Sequence, residues 1–428
     1  MTKAVAAPGD VDEAPGVLDE ARGVLDEARG ILPWIADVRR RLHAKPELGL
    51  KLPKTQATIA AELEGLGLTP RLGSTITSVT ASIEATGPGP GILLRADMDA
   101  LPLQEDTGLD FASTLPGVMH ACGHDTHVAM LLGAARLLVE RRPELSRPVL
   151  LMFQPGEEGF HGARYMLEEG LLEAGAGPVT DAFALHITTQ YESGTINIRP
   201  GPELAAGDTI RITVRGRGGH ASAPHLAADP ITVAAEIVLG LQTMISRRVN
   251  AFDPAVITIA NLVAGTTTNV IPESAFLQGT MRTVSEETRV AVRGYVRQVV
   301  AGISDAHDLT ADIQIEPGYP VTVNDPDFTD IVRAVASELL GPTAVRTMPA
   351  PIMGSEDFSY VLQRVRGALA FLGARPAGLD PATAPQNHSN RVVFDEGAMP
   401  VGAALYAAMA LRQPAGDGSK GTGSDGTR

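Results

Sequence analysis

The sequence predicts an α/β protein in which a mostly parallel, helix-covered sheet is interrupted by a smaller β-α-β-β-α-β domain. Three observations predict it. Apolar runs flanked by helical patterns recur over residues 34–199 and resume after about residue 319, and buried strands alternating with helices imply a sheet covered on both faces. Between those stretches the strands alternate polar with apolar, as half-exposed strands do. The residues able to do chemistry sit where apolar runs end, which is where open α/β sheets place their sites.

Residues 1–33 hold "GVLDEARGVLDEARG", a seven-residue unit given twice with Gly16, Gly23 and Gly30 at its joints. Its shortness and lack of a sustained apolar seam predict a frayed helical extension and no coiled coil. "IADVRRRLHAKPEL" and "KTQATIAAELEGLG" read as helices, "GILLRADMDALP" contains a short buried strand, and "THVAMLLGAARLLVERR" is an apolar helix. "PVLLMFQPGEEG" runs from an apolar strand into a Pro-Gly turn, and "AFALHITT" is another strand of that kind. Over 200–318, "DTIRITVRGRG" is a half-exposed strand and "ITVAAEIVLGLQTMISRR" a helix; "AVITIANLVAG" and "SAFLQGTMRTV" are strands. "SEETRVAVRGYVRQVVAGI" is a helix opened by a Ser-x-x-Glu-like cap, and "LTADIQIEPG" closes as a strand, completing a split βαβ sandwich. The first pattern then returns and ends in "DEGAMPVGAALYAAMALRQ". The domain at 200–318 is therefore inserted into a discontinuous one at 34–199 and 319–413. The Gly/Ser/Asp-rich tail at 414–428 has nothing apolar to bury and is expected to be disordered.

The 428 residues suffice for two or three domains at roughly 150 residues each. Against 50 Asp and Glu stand 35 Lys and Arg, a net charge of -15 with no basic run. Such a balance repels nucleic acid and anionic membrane. No secretory pattern opens the chain and no apolar run reaches bilayer-spanning length. A soluble cytoplasmic protein without nucleic-acid or membrane partners is expected. The one cysteine, Cys122, cannot form an internal disulfide. It is a buried small apolar residue, a metal ligand or a nucleophile.

Cys122 and His124 precede a helix, Glu157 and Glu158 follow the strand "VLLMFQ", His186 ends "AFALH", and His388 lies in "APQNHSNR". Thiolate, imidazole and carboxylate are ligands of zinc, or of manganese where carboxylates and water supplement nitrogens. A C-x-H pair alone is weak evidence. Adjacent glutamates on a Pro-Gly turn sharpen it, because neighbours point apart: one can ligate a metal while the other reaches a water.

Seven stretches, "RRRLHAKPELG", "LLRADMDALP", "MHACGHDTH", "FQPGEEG", "GRGGHASAPH", "NVIPESAFLQGTMR" and "MGSEDFSYVLQ", run from Arg39 to Gln363 and mark a resemblance over about residues 38–412. Together they resemble the N-acyl-amino-acid amidohydrolases, the hippurate hydrolase and auxin-conjugate hydrolase branch of the aminoacylase and carboxypeptidase clan. The resemblance implies an exopeptidase-like catalytic domain holding two divalent ions (Mn, Zn, Co or Ni) and an inserted ferredoxin-like lid that mediates homodimerisation. It implies metal ligands at Cys122, His124, Glu158, His186 and His388, and Glu157 as general base in cleaving an N-acyl amino acid into carboxylic acid and amino acid. In the lid, His220 resembles a histidine that stabilises the oxyanion, often in the other subunit's site. Asn269 and Arg282 resemble residues holding the substrate carboxylate, and Gly354 lies in a loop at the site wall.

Plainer readings apply elsewhere. His43, His225 and His307 are expected to be structural, His120 and His127 to support ligands or pack, and Asp97, Asp99 and Asp125 to orient ligands or cap backbone. His161 stands where a small residue is expected and either lines the pocket or faces solvent. "LHITTQYESGTI" departs from the apolar, often Trp- or Pro-containing segment usual after the position of His186. Two alternatives stand beside the amidohydrolase: a metallo-dipeptidase or carboxypeptidase of the same fold, and a hydrolase using Cys122 as nucleophile, which leaves the glutamate pair unexplained.

Overall fold

In the computed structural model, which describes residues 15–86 and 89–412, three helices open the chain: α1 (Pro15–Gly30), α2 (Leu32–His43) and α3 (Pro53–Gly65). They lead into β1 (Arg71–Leu72), β2 (Val79–Ile83), β3 (Gly91–Asp97), α4 (His124–Glu140), β4 (Val149–Gln154), α5 (Gly162–Glu168), β5 (Val179–Glu192) and β6 (Ile196–Ile198). β7 (Gly201–Leu204) carries the chain to β8 (Ala206–Arg215), β9 (Gly219–His220), α6 (Pro230–Arg248), β10 (Ala255–Ala264), β11 (Val270–Ile271), β12 (Ser274–Thr283), α7 (Glu286–Ala306) and β13 (Thr310–Pro317). β14 (Thr322–Asn324) returns it, followed by α8 (Pro326–Leu340), β15 (Val345–Thr347), α9 (Ser359–Leu362), β16 (Arg366–Arg375) and α10 (Met399–Leu411).

The apolar runs make the centre of an eight-stranded sheet, ordered β1-β2-β4-β3-β5-β16-β6-β15. β4, β3, β5 and β16 are mutually parallel, while β2 and β6 run against their neighbours β4 and β16. Every residue of β3 and β4 is buried, which is why these strands read as apolar runs broken only by Arg95, Asp97 and Gln154 near their exits. α4 and α10 bury nearly all of their surface beside the sheet. Tyr406 on α10 donates to the Arg95 carbonyl at 2.6 Å and accepts from Leu185 N at 2.9 Å, fastening helix to sheet. The heptad repeat does not fray: Val24, Leu25 and Ala28 of α1 are buried in the same core as α4, α8 and α10. One apolar face per turn is enough when neighbouring helices cover it. The tail at 414–428 lies outside the described residues.

A second sheet, antiparallel and ordered β10-β12-β8-β13, has its own core, in which Ile210, Ile212 and Val214 meet Ile237 and Leu241 of α6 and Val296 and Val300 of α7. β8 alternates strictly between buried and half-buried positions, as its sequence does. The cap of α7 is a lone Ser285 accepting from Thr288 N at 3.1 Å, because Thr288 stands where a reciprocal glutamate would. β9 pairs with β11, too short to read from periodicity. β7 and β14, the strands entering and leaving this group, pair with each other.

Candidate metal centre

β3 and β4 deliver chemistry at their exits, whereas His186, expected to end its strand, lies within β5, which runs on to Glu192. Beyond β4 the chain turns through Gly156 and Gly159, both at positive φ, which turns Glu157 and Glu158 back over the sheet. Asp99, just past β3, accepts from Glu157 N and Glu158 N at 3.0 Å each. Cys122 and His124 flank Gly123, the residue before α4, whose φ is 91° and whose added Cβ would lie 2.4 Å from Ile187 Cγ2; only glycine allows that turn. Asn387 fastens the loop bearing His388 by donating to the carbonyls of Cys122 and Ile187, each at 2.9 Å.

Ligand-type atoms from all five expected positions converge. Cys122 Sγ lies 3.4 Å from His186 Nε2 and 3.3 Å from His388 Nε2, and Glu158 Oε1 is 3.3 Å from His388 Nε2 and 3.9 Å from His124 Nε2. Cys122, His124 and His186 form one group able to hold an ion, and Cys122, Glu158 and His388 another. The histidines are oriented for it. Nδ1 of His124 meets the Asp99 carbonyl at 2.9 Å and Nδ1 of His186 the Ile187 carbonyl at 2.8 Å. A carbonyl only accepts, so both Nδ1 atoms carry hydrogen and Nε2 is the atom each ring turns toward the cluster; against burial, Asp97 and Cys122 hold His124 well above its usual range, so an ion there would displace a proton from it. His124 Nε2 and Glu158 Oε1 are buried without a hydrogen-bond partner among the described residues, a deficit that a divalent cation would meet.

Electrostatics agree with that fit. Burial pushes His186 well below its usual range, keeping it neutral. The Cys122 sulfur and the Glu158 carboxylate, each 3.3 Å from its Nε2, pull His388 up to about 10, so this corner favours positive charge. Burial and Glu158 push the Cys122 thiol up, the wrong direction for a free nucleophile, whereas a coordinated metal deprotonates a thiol outright. Burial, then the carboxylates of Glu356, Glu158 and Asp357, push Glu157 well above the carboxylate range.

A cavity of about 510 Å³ opens onto these residues, and Arg282, Gly354, Ser355, Thr188 and Gln190 line it further out. Arg282 donates to Ser355 Oγ at 2.8 Å and makes no ion pair among the described residues. His220 and Asn269 do not line the cavity. They sit together, Ala221 N donating to the Asn269 carbonyl at 3.0 Å, and both are exposed. Ser222 N donates to His220 Nδ1 at 3.1 Å, which puts the ring hydrogen of the neutral histidine on Nε2.

Of the residues read more plainly, His127 donates from Nδ1 to Asp97 at 2.5 Å and accepts from Ile187 N at 2.7 Å. His43 bridges Asp125 and Glu105, which raise it to about 9 although burial opposes them. His307 pairs with Glu236 at the end of α7, and His225 is exposed. His161 bonds Tyr360. Sequence reasoning missed the buried Arg95 with Asp97, Glu356, Asp357 and Gln154 around it. The available signal was a charge inside an apolar run, "LLRAD", and an acidic pair beside Phe358. It also missed Asn387, Ser355 and Tyr319, whose roles depend on distant partners.

The two sheets and the clustered donors define a class. Residues 93–412 match peptidase family M20/M25/M40, and the chain belongs to that family. It is 39% identical over 383 residues to "Thermostable carboxypeptidase 1" of Saccharolobus solfataricus, covering 89% of this chain and 95% of that one. It is 38% identical to "IAA-amino acid hydrolase ILR1-like 4" of Arabidopsis thaliana, covering 89% and 85%. Among solved structures, the Bacillus subtilis YXEP protein, described as a dinuclear metal binding peptidase of family M20, is similar with a TM-score of 0.76 and 34% identity. That match covers 90% of this chain and 98% of the other.

Proposed function

We propose that this chain is a metal-dependent amidohydrolase that splits N-acyl amino acids into a carboxylic acid and a free amino acid. Cys122, His124, Glu158, His186 and His388 would hold two divalent cations of the Mn, Zn, Co or Ni group. Bound there, such ions acidify a water and polarise the amide carbonyl. Glu157 takes the proton of the attacking water and delivers it to the leaving nitrogen as the C–N bond breaks. Arg282, with one hydrogen bond to Ser355 Oγ and no ion pair among the described residues, offers its guanidinium to the substrate carboxylate, and Gly354 lines the same cavity. The observation that carries the reading is this juxtaposition: five convergent ligand-type side chains, two of them with unmet buried atoms, four of the five lining one cavity with a guanidinium that makes no ion pair among the described residues.

We further assign 34–199 and 319–413 to the catalytic domain and 200–318 to a lid. Because His220 and Asn269 lie outside their own chain's cavity, a second copy is proposed to supply them, with Nε2–H of His220 as oxyanion donor. β10 supports a homodimer: it is an edge strand with Val256, Leu262 and Val263 exposed. No helix among the described residues is long and apolar enough to cross a membrane. We place the enzyme in the cytoplasm, where a lone cysteine stays reduced; fractionation of the native cells tests this.

Carboxypeptidase action is the second reading, favoured by the similarity to the Saccharolobus protein. N-acetyl, N-benzoyl and indoleacetyl amino acids assayed against dipeptides, with metal analysis of the same samples, separate the two. Faster turnover of N-acyl amino acids, abolished by a chelator and restored by Mn, Zn or Co, is expected. Full activity in metal-free protein would overturn the mechanism and leave the Cys122 hydrolase standing.

A further inference from the structure

One phenol joins the inserted sheet to the paired-glutamate turn. Tyr319 lies between β13 and β14 with 6% of its surface exposed. Its carbonyl accepts from Gly207 N at 3.2 Å, at the start of β8. The neighbouring Gly318 is held by Asp208, which accepts from Gly318 N at 3.2 Å, and by Arg289, which donates to the Gly318 carbonyl at 3.0 Å. The backbone of this crossing is thus anchored on the side of the four-stranded sheet. The hydroxyl points the other way. It donates to the Glu157 carbonyl and accepts from Gly159 N at 2.7 Å and His161 N at 3.4 Å.

One hydroxyl therefore serves three backbone groups of residues 157–161. His161, at a φ of 59°, completes the arrangement: its ring stands edge-on to Tyr319 at 4.9 Å, and its Nδ1 is 2.9 Å from the Tyr360 hydroxyl. A phenylalanine would fill the same space but leave Gly159 N and the Glu157 carbonyl only each other, 2.7 Å apart within the turn, with nothing tying either to the crossing. A role in packing alone calls for the ring, and the hydroxyl is what reaches the turn.

We propose that Tyr319 is a positioning residue that ties the Glu157–Glu158 turn to the chain crossing between the two sheets, so that the general base and the lid hold one fixed relation. The kinetic part of this rests on Glu157 being the base; the structural part does not.

Tyr319→Phe in the full chain tests it. In metal-free protein, hydrogen–deuterium exchange at Gly159 and His161 should rise by about tenfold or more, with the exchange of α6, α7 and β12 and the thermal midpoint unchanged. In the metal-loaded enzyme kcat should fall about 10- to 100-fold with KM within about threefold, as expected when a reacting group is misplaced by about an ångström. Exchange at the wild-type rate in 157–161 would overturn the proposal. So would a rise spread evenly over the chain with a lower midpoint, which marks general packing. Tyr360→Phe, which removes only the hydroxyl beside His161, should leave Gly159 exchange as in the wild type; an equal acceleration there would also overturn it. If the wild-type enzyme fails to cleave N-acyl amino acids, the proposed function falls, while the exchange result still decides whether Tyr319 holds the turn.

Discussion

Asp99→Asn isolates what holds the two glutamates in place. Asp99 is 1% exposed, and each of its carboxylate oxygens accepts one backbone N–H, from Glu157 and from Glu158, at 3.0 Å. Asparagine keeps the shape but offers one oxygen; its amide group then faces a backbone N–H, donor against donor. One charge-assisted bond of about 1.5–3 kcal/mol is lost, and the stranded buried amide costs about 1–3 kcal/mol. These are largely the same interaction seen from its two ends, so the net destabilisation should be about 2–4 kcal/mol. Urea unfolding of metal-free protein measures it as a lower midpoint at unchanged slope. The loaded enzyme should lose kcat by about 10- to 100-fold, since the base no longer sits squarely over the reacting atoms. A change in stability within about 0.5 kcal/mol, the range of an ordinary surface substitution, would show that the turn is held elsewhere and refute this account.

Two further outcomes follow from the proposed roles. Glu157→Gln should retain its metals by elemental analysis yet lose about 10²- to 10⁴-fold in rate, while Glu158→Gln should lose metal as well; equal metal content in the two would undo the division of labour. His220→Ala and Glu157→Ala, each nearly inactive alone, should regain activity when co-folded, because with donation across a two-fold dimer one site of each mixed pair is intact. Random pairing makes that about a quarter of all sites, and no rescue from a dimer proven by sedimentation would place His220 in its own chain's site.

Much of the fold was legible because burial writes itself into sequence. β3 and β4 are buried throughout and apolar but for Arg95, Asp97 and Gln154, and β8 alternates in both sequence and exposure. The repeat in α1 misled because its apolar stripe is narrow; what stabilises it is α8 and α10, which fold against it from the far end of the chain. The ligand-type residues stood out by chemistry and by their place after strands. The groups that hold them did not. Arg95 looks like an interruption of an apolar run until Glu356, 261 positions away, is placed 2.7 Å from it, and Tyr319 sits in a stretch without periodicity. Asn387 is an ordinary loop residue until the carbonyls of Cys122 and Ile187 come within 2.9 Å of it. Such roles are long-range pairings, and a single sequence has no local signal for them.

Those pairings also bear on the opposite roles proposed for the two neighbouring glutamates. Against the penalty of burial, His388 and His124 draw Glu158 below the usual carboxylate range, so it stays anionic as a ligand must. Glu157, one residue away on the other side of the turn, meets Glu356 and Asp357 and is driven the other way. Arg95 keeps that acidic group from being ruinous: it lies 2.7 Å from both Asp97 and Glu356 and 3.3 Å from Asp357, and with His124 and His127 it holds Asp97 well below the usual range despite complete burial. A buried carboxylate without such a partner would simply keep its proton. Separated pKa values in adjacent carboxyls are what distinguish a proton carrier from a fixed anion. Here the separation comes from burial and from the different charged neighbours each side chain meets, and on the proposed roles the backbone contacts of Asp99 and Tyr319 to that turn bear on both.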